Sequence, residues 1–382
     1  MKITRMELLT ANQSGRIYVF VKLHTDEGIW GVGEPSCVGK EQAVMGALRD
    51  LEGYFLGTDP FQIERLWGYI YGTVIWRGGA VLIAALSGVE HALWDIQGKA
   101  LGLPVWELLG GPVRDRVEVY AWIHGTTPES YAEDAQQRLE EGFRTVKFTP
   151  FEFTGLGFNL AEGKRAEARV RAVRQAVGDE IGIAIDGHGV LNPVKAVEMA
   201  KRIEPYGILF YEEPVLPAHT DALAEVRRQC RIPVATGERL FGRYAFRELL
   251  VKQAVDVIQA DVGNAGGILE VYKIAAMAEA FYVSMAPHNP WSPLSTAISL
   301  HLDAATQNFL IQEIPTAGSH PDRSRLLKEQ IERPHEGYLE IPSGPGWGVE
   351  LDEDYIRSIQ WQPGAPRRPW IPLRPDGGLV HT

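Results

Sequence analysis

The fold class this sequence predicts is α/β: a (β/α)8 barrel behind a smaller α+β region. Three observations predict it. Eight short apolar runs ending in polar residues recur after Pro112, amphipathic stretches of helical spacing separate most of them, and the pattern ahead of Pro112 is of another kind. Strict alternation of strand and helix builds a parallel sheet, and eight such units favour closing that sheet into a barrel. The alternative, an open doubly wound sheet, would carry a Gly-x-Gly-x-x-Gly turn after its first strand, and none follows Ile123.

The front region opens as a β-meander. Residues 16–25 alternate apolar and polar, Asp26-Glu27-Gly28 makes a turn, and residues 29–34 resume the strand. From residue 40 to 102 the period becomes helical, with Val44, Leu48, Leu51 and Phe55 on one face and Ile83, Leu86, Val89, Ala92 and Leu93 on another. Residues 1–113 therefore read as an α+β unit. The barrel, 114–332, has predicted strands at 117–123, 145–150, 181–186, 208–214, 233–238, 256–261, 282–288 and 309–313. Helices are predicted between them, as at 128–141, 167–177, 193–203 and 220–228. The remainder, 333–382, is rich in Gly and Pro and reads as a closing segment over the surface, one that can return to the front unit.

Composition narrows the partners. The 382 residues suffice for one large core and a smaller companion, and 45% hydrophobic with 23% charged residues is ordinary for a globular chain. No run of about 18 apolar residues occurs, and Met1 to Glu7 lacks the apolar stretch of a secretory signal, so a cytoplasmic protein without a membrane span is expected. Cys37 and Cys230 lie far apart, which argues against a disulfide framework or thiolate metal site. A net charge of -11, with no basic run beyond pairs such as Arg367-Arg368, argues against nucleic acid and acidic membranes. The expected partner is a small molecule, and the chain is expected to self-associate.

In such a barrel the residues at the carboxyl ends of the strands converge on one mouth. Here they are Asp186, Glu212 and Glu238 after strands three to five, equally spaced along the chain, then Asp261, His288 and Glu313 after strands six to eight. Three carboxylates from adjacent strands form an all-oxygen cage for a hard cation, Mg²⁺ above all. The plainer reading is that acidic residues end strands because strand ends meet water. A carboxylate beside an imidazole fixes its tautomer and raises its basicity, so Asp261 with His288 suggests a general base, although a lone His is more often structural. Glu313 can donate a hydrogen bond to a developing enolate if an apolar setting keeps its carboxyl neutral; otherwise it is a solvated carboxylate.

This succession, together with Ala92-Leu93-Trp94-Asp95-Ile96 and the stretch from Val105 to Gly111, resembles the enolase superfamily over nearly the whole chain. Within it the pattern looks like the mandelate racemase group, and most like D-galactonate dehydratases and related acid-sugar dehydratases. The resemblance implies a modified TIM-type barrel under an α+β cap made from both chain ends. It also implies Mg²⁺ held by Asp186, Glu212 and Glu238, and a base formed by His288 with Asp261.

One departure bears on the reaction. Many members of the group carry Lys-x-Lys after the second strand, the second lysine being a base on the other face of the substrate; here the residues are Lys147-Phe148-Thr149. A two-base racemase is thereby disfavoured, because inversion needs a proton donor on each face. Lys147 is expected either to meet a substrate or metal-bound carboxylate or to be a buried structural cation. His188 matches the position from which the resembling dehydratases supply an acid, and strand alternation would turn it to the mouth with Asp186. Substrate contacts are sought in the front unit, at the turn 12–16 and at Trp76-Arg77-Gly78-Gly79, where Arg77 can grip an oxygen of the substrate. Trp76 and Trp291 are expected to wall the pocket, unless they are ordinary core residues; Trp122 and His124 are further suggestions. The function expected is dehydration of an aldonate or aldarate to a 2-keto-3-deoxy acid. Racemisation or cycloisomerisation by the same half-reaction, and a non-catalytic binding barrel, are the alternatives.

Overall fold

The computed structural model describes residues 1–73, 75–152, 160–315 and 322–364. The front sheet is antiparallel: β1 (Ile3–Gln13), β2 (Arg16–Thr25) and β3 (Trp30–Gly33), in that order. Ser14 and Gly15 join β1 to β2 with positive φ at both positions (52° and 88°), which matches the twist of a two-residue hairpin. β1 was not expected from the sequence. Its buried and exposed positions do not alternate, so it carries no period of two.

Helices α1 (Glu41–Phe55), α2 (Ile63–Thr73), α3 (Ala80–Leu101) and the short α4 (Val105–Leu108) follow. α3 is buried without a break from Ile83 to Ile96. It lies against β3 because Gly31 and Gly33 have no side chain: a Cβ there would run into the carbonyl oxygens of Ala92 and Gly88.

The second sheet is the barrel. Its strands are β4 (Arg116–Trp122), β5 (Thr145–Phe148), β6 (Gly182–Asp186), β7 (Ile208–Glu212), β8 (Val234–Thr236), β9 (Val257–Ile258), β10 (Ser284–Met285) and β11 (Gln312–Ile314). β4 through β10 pair in sequence, all parallel, and β11 pairs with β4. The ring closes between β10 and the run into β11, where Met285 N–H donates to Asn308 O (2.8 Å) and Leu310 N–H to Met285 O (2.7 Å). Tyr120, Ala184, Phe210, Ala235, Val257, Ala286 and Ile311 pack together as one layer, one residue from each of seven strands or strand runs.

Helices α5 (Pro128–Glu140), α6 (Leu160–Val177), α7 (Pro193–Ile203), α8 (Thr220–Gln229), α9 (Arg243–Val251), α10 (Ile268–Glu279) and α11 (Pro293–Ala305) connect the eight strands. Thr127, Asn192 and Ser292 cap α5, α7 and α11 with their side chains, each followed by Pro at the first helical position.

The barrel is modified at its end. Among the described residues no long helix follows β11. The chain instead adds β12 (Tyr338–Glu340), antiparallel to β4, and α12 (Glu353–Ser358) against β1. Trp347 is buried in the front unit, donating from its indole to Val32 O (2.9 Å), and Asn12 N–H donates to Ile359 O (2.8 Å). Most of the Gly- and Pro-rich run 363–375 lies outside the described residues. Among the described residues no helix is long and apolar enough to cross a membrane.

Candidate active site

The three equally spaced carboxylates meet at the mouth. Asp186 and Glu212 are register partners at the ends of β6 and β7, and Glu238 follows β8 by two residues. One oxygen from each lies within 4.8 Å of the others. Asp186 Oδ2 and Glu212 Oε1 are buried without a hydrogen-bond partner. Burial raises the proton affinity of all three: Asp186 reaches about 6, and Glu213, Glu212 and Asp186 push Glu238 well above the carboxylate range. Bare buried oxygens among like charges are costly unless a cation joins them. An all-oxygen donor set of this kind fits Mg²⁺.

Lys147 balances part of this charge. Its ammonium is fully buried, 2.6 Å from Glu212 Oε2, 3.3 Å from Glu313 Oε1 and 3.9 Å from Asp186 Oδ2, and it faces the rings of Tyr120 and Trp122. Burial alone would lower its pKa, but Glu212 and Glu313 outweigh that and hold the proton firmly. Its partners are therefore the protein's own carboxylates. Two of these, Glu212 and Asp186, are the expected metal ligands, so Lys147 meets the carboxylates of the metal cage.

Glu313 also differs from expectation. Its surroundings are polar: Lys147, the Trp122 indole N–H on Oε1, and the Asn289 N–H on Oε2 (2.8 Å). Burial opposes ionisation, yet Lys147, His288 and these donors bring its pKa to about 2. At rest Glu313 is thus a carboxylate that accepts hydrogen bonds.

His288 and Asp261 form the expected pair, with Nδ1 2.7 Å from Oδ2. The other ring nitrogen is 3.3 Å from Glu238 Oε2. Burial would lower the imidazole pKa; Glu238, Glu313 and Asp261 together raise it to about 10.

His188 reaches the mouth by a different route from the one alternation suggested. β6 ends at Asp186, and His188 has φ of 45°, in the left-handed region, so it belongs to a turn. Its N–H donates to Asp186 Oδ1 (2.7 Å), and its Nδ1 shares a hydrogen bond with Thr149 Oγ1 (3.0 Å). Thr149 thus orients this ring. Burial lowers the pKa of His188 to about 4, against the pull of Glu212 and Glu213.

Trp76 and Arg77 are not brought to the site. Trp76 is 83% exposed, and Arg77 donates to Gly72 O (3.2 Å) on the surface. Both residues expected to wall the pocket and grip substrate are therefore exposed at the surface. Trp291 is 6% exposed; it borders a cleft shared with Tyr18, Glu34, Ser36, Cys37 and Glu41 of the front unit. Its indole is turned away to Asp261 Oδ2 (2.5 Å).

Three further groups belong here. Trp122, only a weak suggestion from the sequence, touches Glu313, Lys147 and His188; its place at the end of β4, two residues after Tyr120, was the available signal. Arg16, from the hairpin turn, donates to Pro290 O (2.9 Å) and lies over the Trp291 ring. Arg239 pairs with buried Glu213, an acid in the left-handed region (φ 37°) beside the Glu212 ligand candidate.

Residues 4–110 match the mandelate racemase / muconate lactonizing enzyme N-terminal domain, and residues 130–355 match the enolase C-terminal domain-like family. The chain is 37% identical to a D-galactonate dehydratase of Pectobacterium atrosepticum and 38% identical to one of Xanthomonas oryzae pv. oryzae, each match covering 100% of both chains. Among solved structures, it superposes with a TM-score of 0.89 on an enolase superfamily member from Salmonella Typhimurium at 32% identity, covering 93% of this chain and 97% of that one. It superposes equally, at 0.89, on a mandelate racemase/muconate lactonizing enzyme-like protein from a Roseovarius species, at 34% identity over 95% and 96% of the two chains.

Proposed function

Because this chain belongs to the mandelate racemase group of the enolase superfamily and is a lyase of the dehydratase kind, we propose that its substrate is a sugar acid, an aldonate or aldarate. The proposed reaction removes the α-proton and the β-hydroxyl, and the enol product tautomerises to a 2-keto-3-deoxy acid. The cap, 1–113 with 333–382, and the barrel, 114–332, are the units of this proposal. Its main support is the placement of two histidines on either side of the carboxylate cluster, one of them paired with Asp261. In a ring of eight strands β6 and β10 are four apart, so His188 and His288 face each other across the mouth with the carboxylate cluster between them.

Asp186, Glu212 and Glu238 would hold Mg²⁺, which when bound supplies Lewis-acid stabilisation of negative charge on the substrate carboxylate. With an ion bound there, Glu238 would have less charge to hold a proton on His288, whose neutral imidazole is the form that acts as base. Asp261 then balances the imidazolium formed when the α-proton is taken. Lys147 keeps Glu212 and Glu313 side by side. Across the mouth, His188 is neutral at rest, so it takes up a proton from solvent as negative charge gathers on the departing oxygen and passes it to that oxygen, which leaves as water. Thr149 orients that ring and, lacking a basic group, offers no second base.

A panel of mono- and dicarboxylic sugar acids, assayed with Mg²⁺ for 2-keto acid release, tests the reading. Dehydration of at least one is expected. α-Proton exchange across the panel without loss of hydroxyl from any member would contradict it.

A further inference from the structure

Asp261 cannot rely on strand geometry for its orientation, since the β9 ladder stops at Ile258. Side-chain hydrogen bonds must do the work. Oδ1 accepts from Gly263 N–H (2.7 Å), while Oδ2 accepts both His288 Nδ1 (2.7 Å) and the Trp291 indole (2.5 Å). The oxygen that steers the imidazole is therefore pinned by a second donor. We propose that Trp291 is a positioning residue for the His288–Asp261 pair, acting through its indole N–H, and that the front unit and the run after β11 hold it in place. This rests on the reading of His288 as the base.

The ties on Trp291 come from outside the barrel strands. Arg16 of the front hairpin lays its guanidinium 4.8 Å from the ring centroid and donates to the carbonyl of Pro290 (2.9 Å). Arg323, after β11, donates to the carbonyl of Trp291 itself (2.5 Å) and pairs with Glu332. Glu34, directly after β3, accepts from Ser292 N–H (3.2 Å), Ser292 Oγ–H and Ser295 N–H (3.2 Å), which fastens the start of α11. The imidazole and indole rings stand edge to face, with centroids 6.3 Å apart at 88°. Seating of the front unit thus reaches the reacting pair through one buried ring whose polar atom is already committed. A loosened carboxylate would let the imidazole drift, and a displacement of about 1 Å at a reacting group can cost on the order of 100-fold in rate.

The test is Trp291→Phe in the full chain with Mg²⁺, which keeps an aromatic ring and removes the donor. The rate constants for dehydration and for α-proton exchange in deuterated water should fall together by about 10- to 100-fold, with KM within about twofold. The isotope effect on kcat with α-deuterated substrate should rise, because proton removal has become slower. A loss confined to KM would make Trp291 a substrate wall and overturn the proposal, as would a kcat within twofold of the parent. Should this variant fail to fold, Arg16→Met decides by the same pattern at about 3- to 10-fold, and an unchanged kcat there overturns the proposal. His288→Asn run alongside separates the two readings: if it still exchanges the α-proton, the base assignment fails, whatever Trp291→Phe does.

Discussion

His288 and His188 occupy opposite sides of one ring of strands, both half-buried, yet one ring holds its proton to about 10 and the other releases it by about 4. Burial works in the same direction on both, so it cannot make the difference. The neighbours do. Around His288 every strong influence is a carboxylate: Glu238, Glu313 and, at 2.7 Å, Asp261. Around His188, Nδ1 meets the Thr149 hydroxyl at 3.0 Å and lies 3.4 Å from Asp186 Oδ1, and burial, helped by Lys147 and Arg239, outweighs the pull of Glu212 and Glu213. Identical side chains at two strand ends are thus given opposite proton affinities by the charges the adjoining strands deliver.

The largest effect expected tests what lies between the two sides. Removing the divalent cation with chelator, or replacing Glu238 by Gln, should lower turnover by on the order of 10⁴-fold or more. An intact rate in Glu238→Gln would leave the carboxylate cluster without a task. Next, His288→Asn should lose both dehydration and α-proton exchange, by about 10²- to 10⁴-fold. If only dehydration suffers, the two sides have been assigned in reverse.

A third test asks whether the His188 side can act as a second base. For a 2-hydroxy acid without a β-hydroxyl, solvent deuterium should enter one enantiomer at least about 10²-fold faster than the other. Comparable exchange from both would point to a base opposite His288. A fourth is spectroscopic. In metal-free protein the His288 imidazole should titrate far above an ordinary histidine, and Mg²⁺ should lower that midpoint as Glu238 gives up its charge. An NMR titration that Mg²⁺ leaves unmoved would break the link between Glu238 and the base.

The smallest effect uses a buried acid outside this cluster. Burial raises Glu90 from 4.5 to about 8 even though Leu269 and Ile268 N–H groups and the Trp94 indole donate to it. A carboxyl with a raised pKa stabilises the fold below its unfolded value and loses that contribution as pH rises through its folded one. Relative to the parent, Glu90→Gln should therefore gain stability between pH 5 and 8, by at most about 1.4 kcal/mol per pH unit. Parallel pH profiles in urea melts would show that burial alone does not shift this acid.

The barrel and its strand-end acids were legible in the sequence because parallel βα units bring residues far apart in the chain to one rim. Asp186, Glu212, Glu238, Asp261 and His288 needed only that rule. The charge states of Lys147 and Glu313 were not legible, since they depend on who faces whom across the interior: Trp122 and Asn289 donate to Glu313 from other strand ends. The turn at His188 was hidden for a related reason, as periodicity says nothing once a strand has ended. Of the two front segments the sequence offered, Trp76-Arg77 is exposed, whereas Arg16 of the hairpin turn reaches the carbonyl of Pro290 after β10, a difference that composition alone does not carry.

The central claim is a division of labour between the two sides of the mouth, and His188→Asn in deuterated water tests it most directly. With the preferred sugar acid and Mg²⁺, α-proton exchange should continue near the parent rate while dehydration falls by about 10²- to 10⁴-fold. Dehydration at the parent rate would place the acid elsewhere, and loss of exchange together with dehydration would mean that His188 takes part in removing the proton.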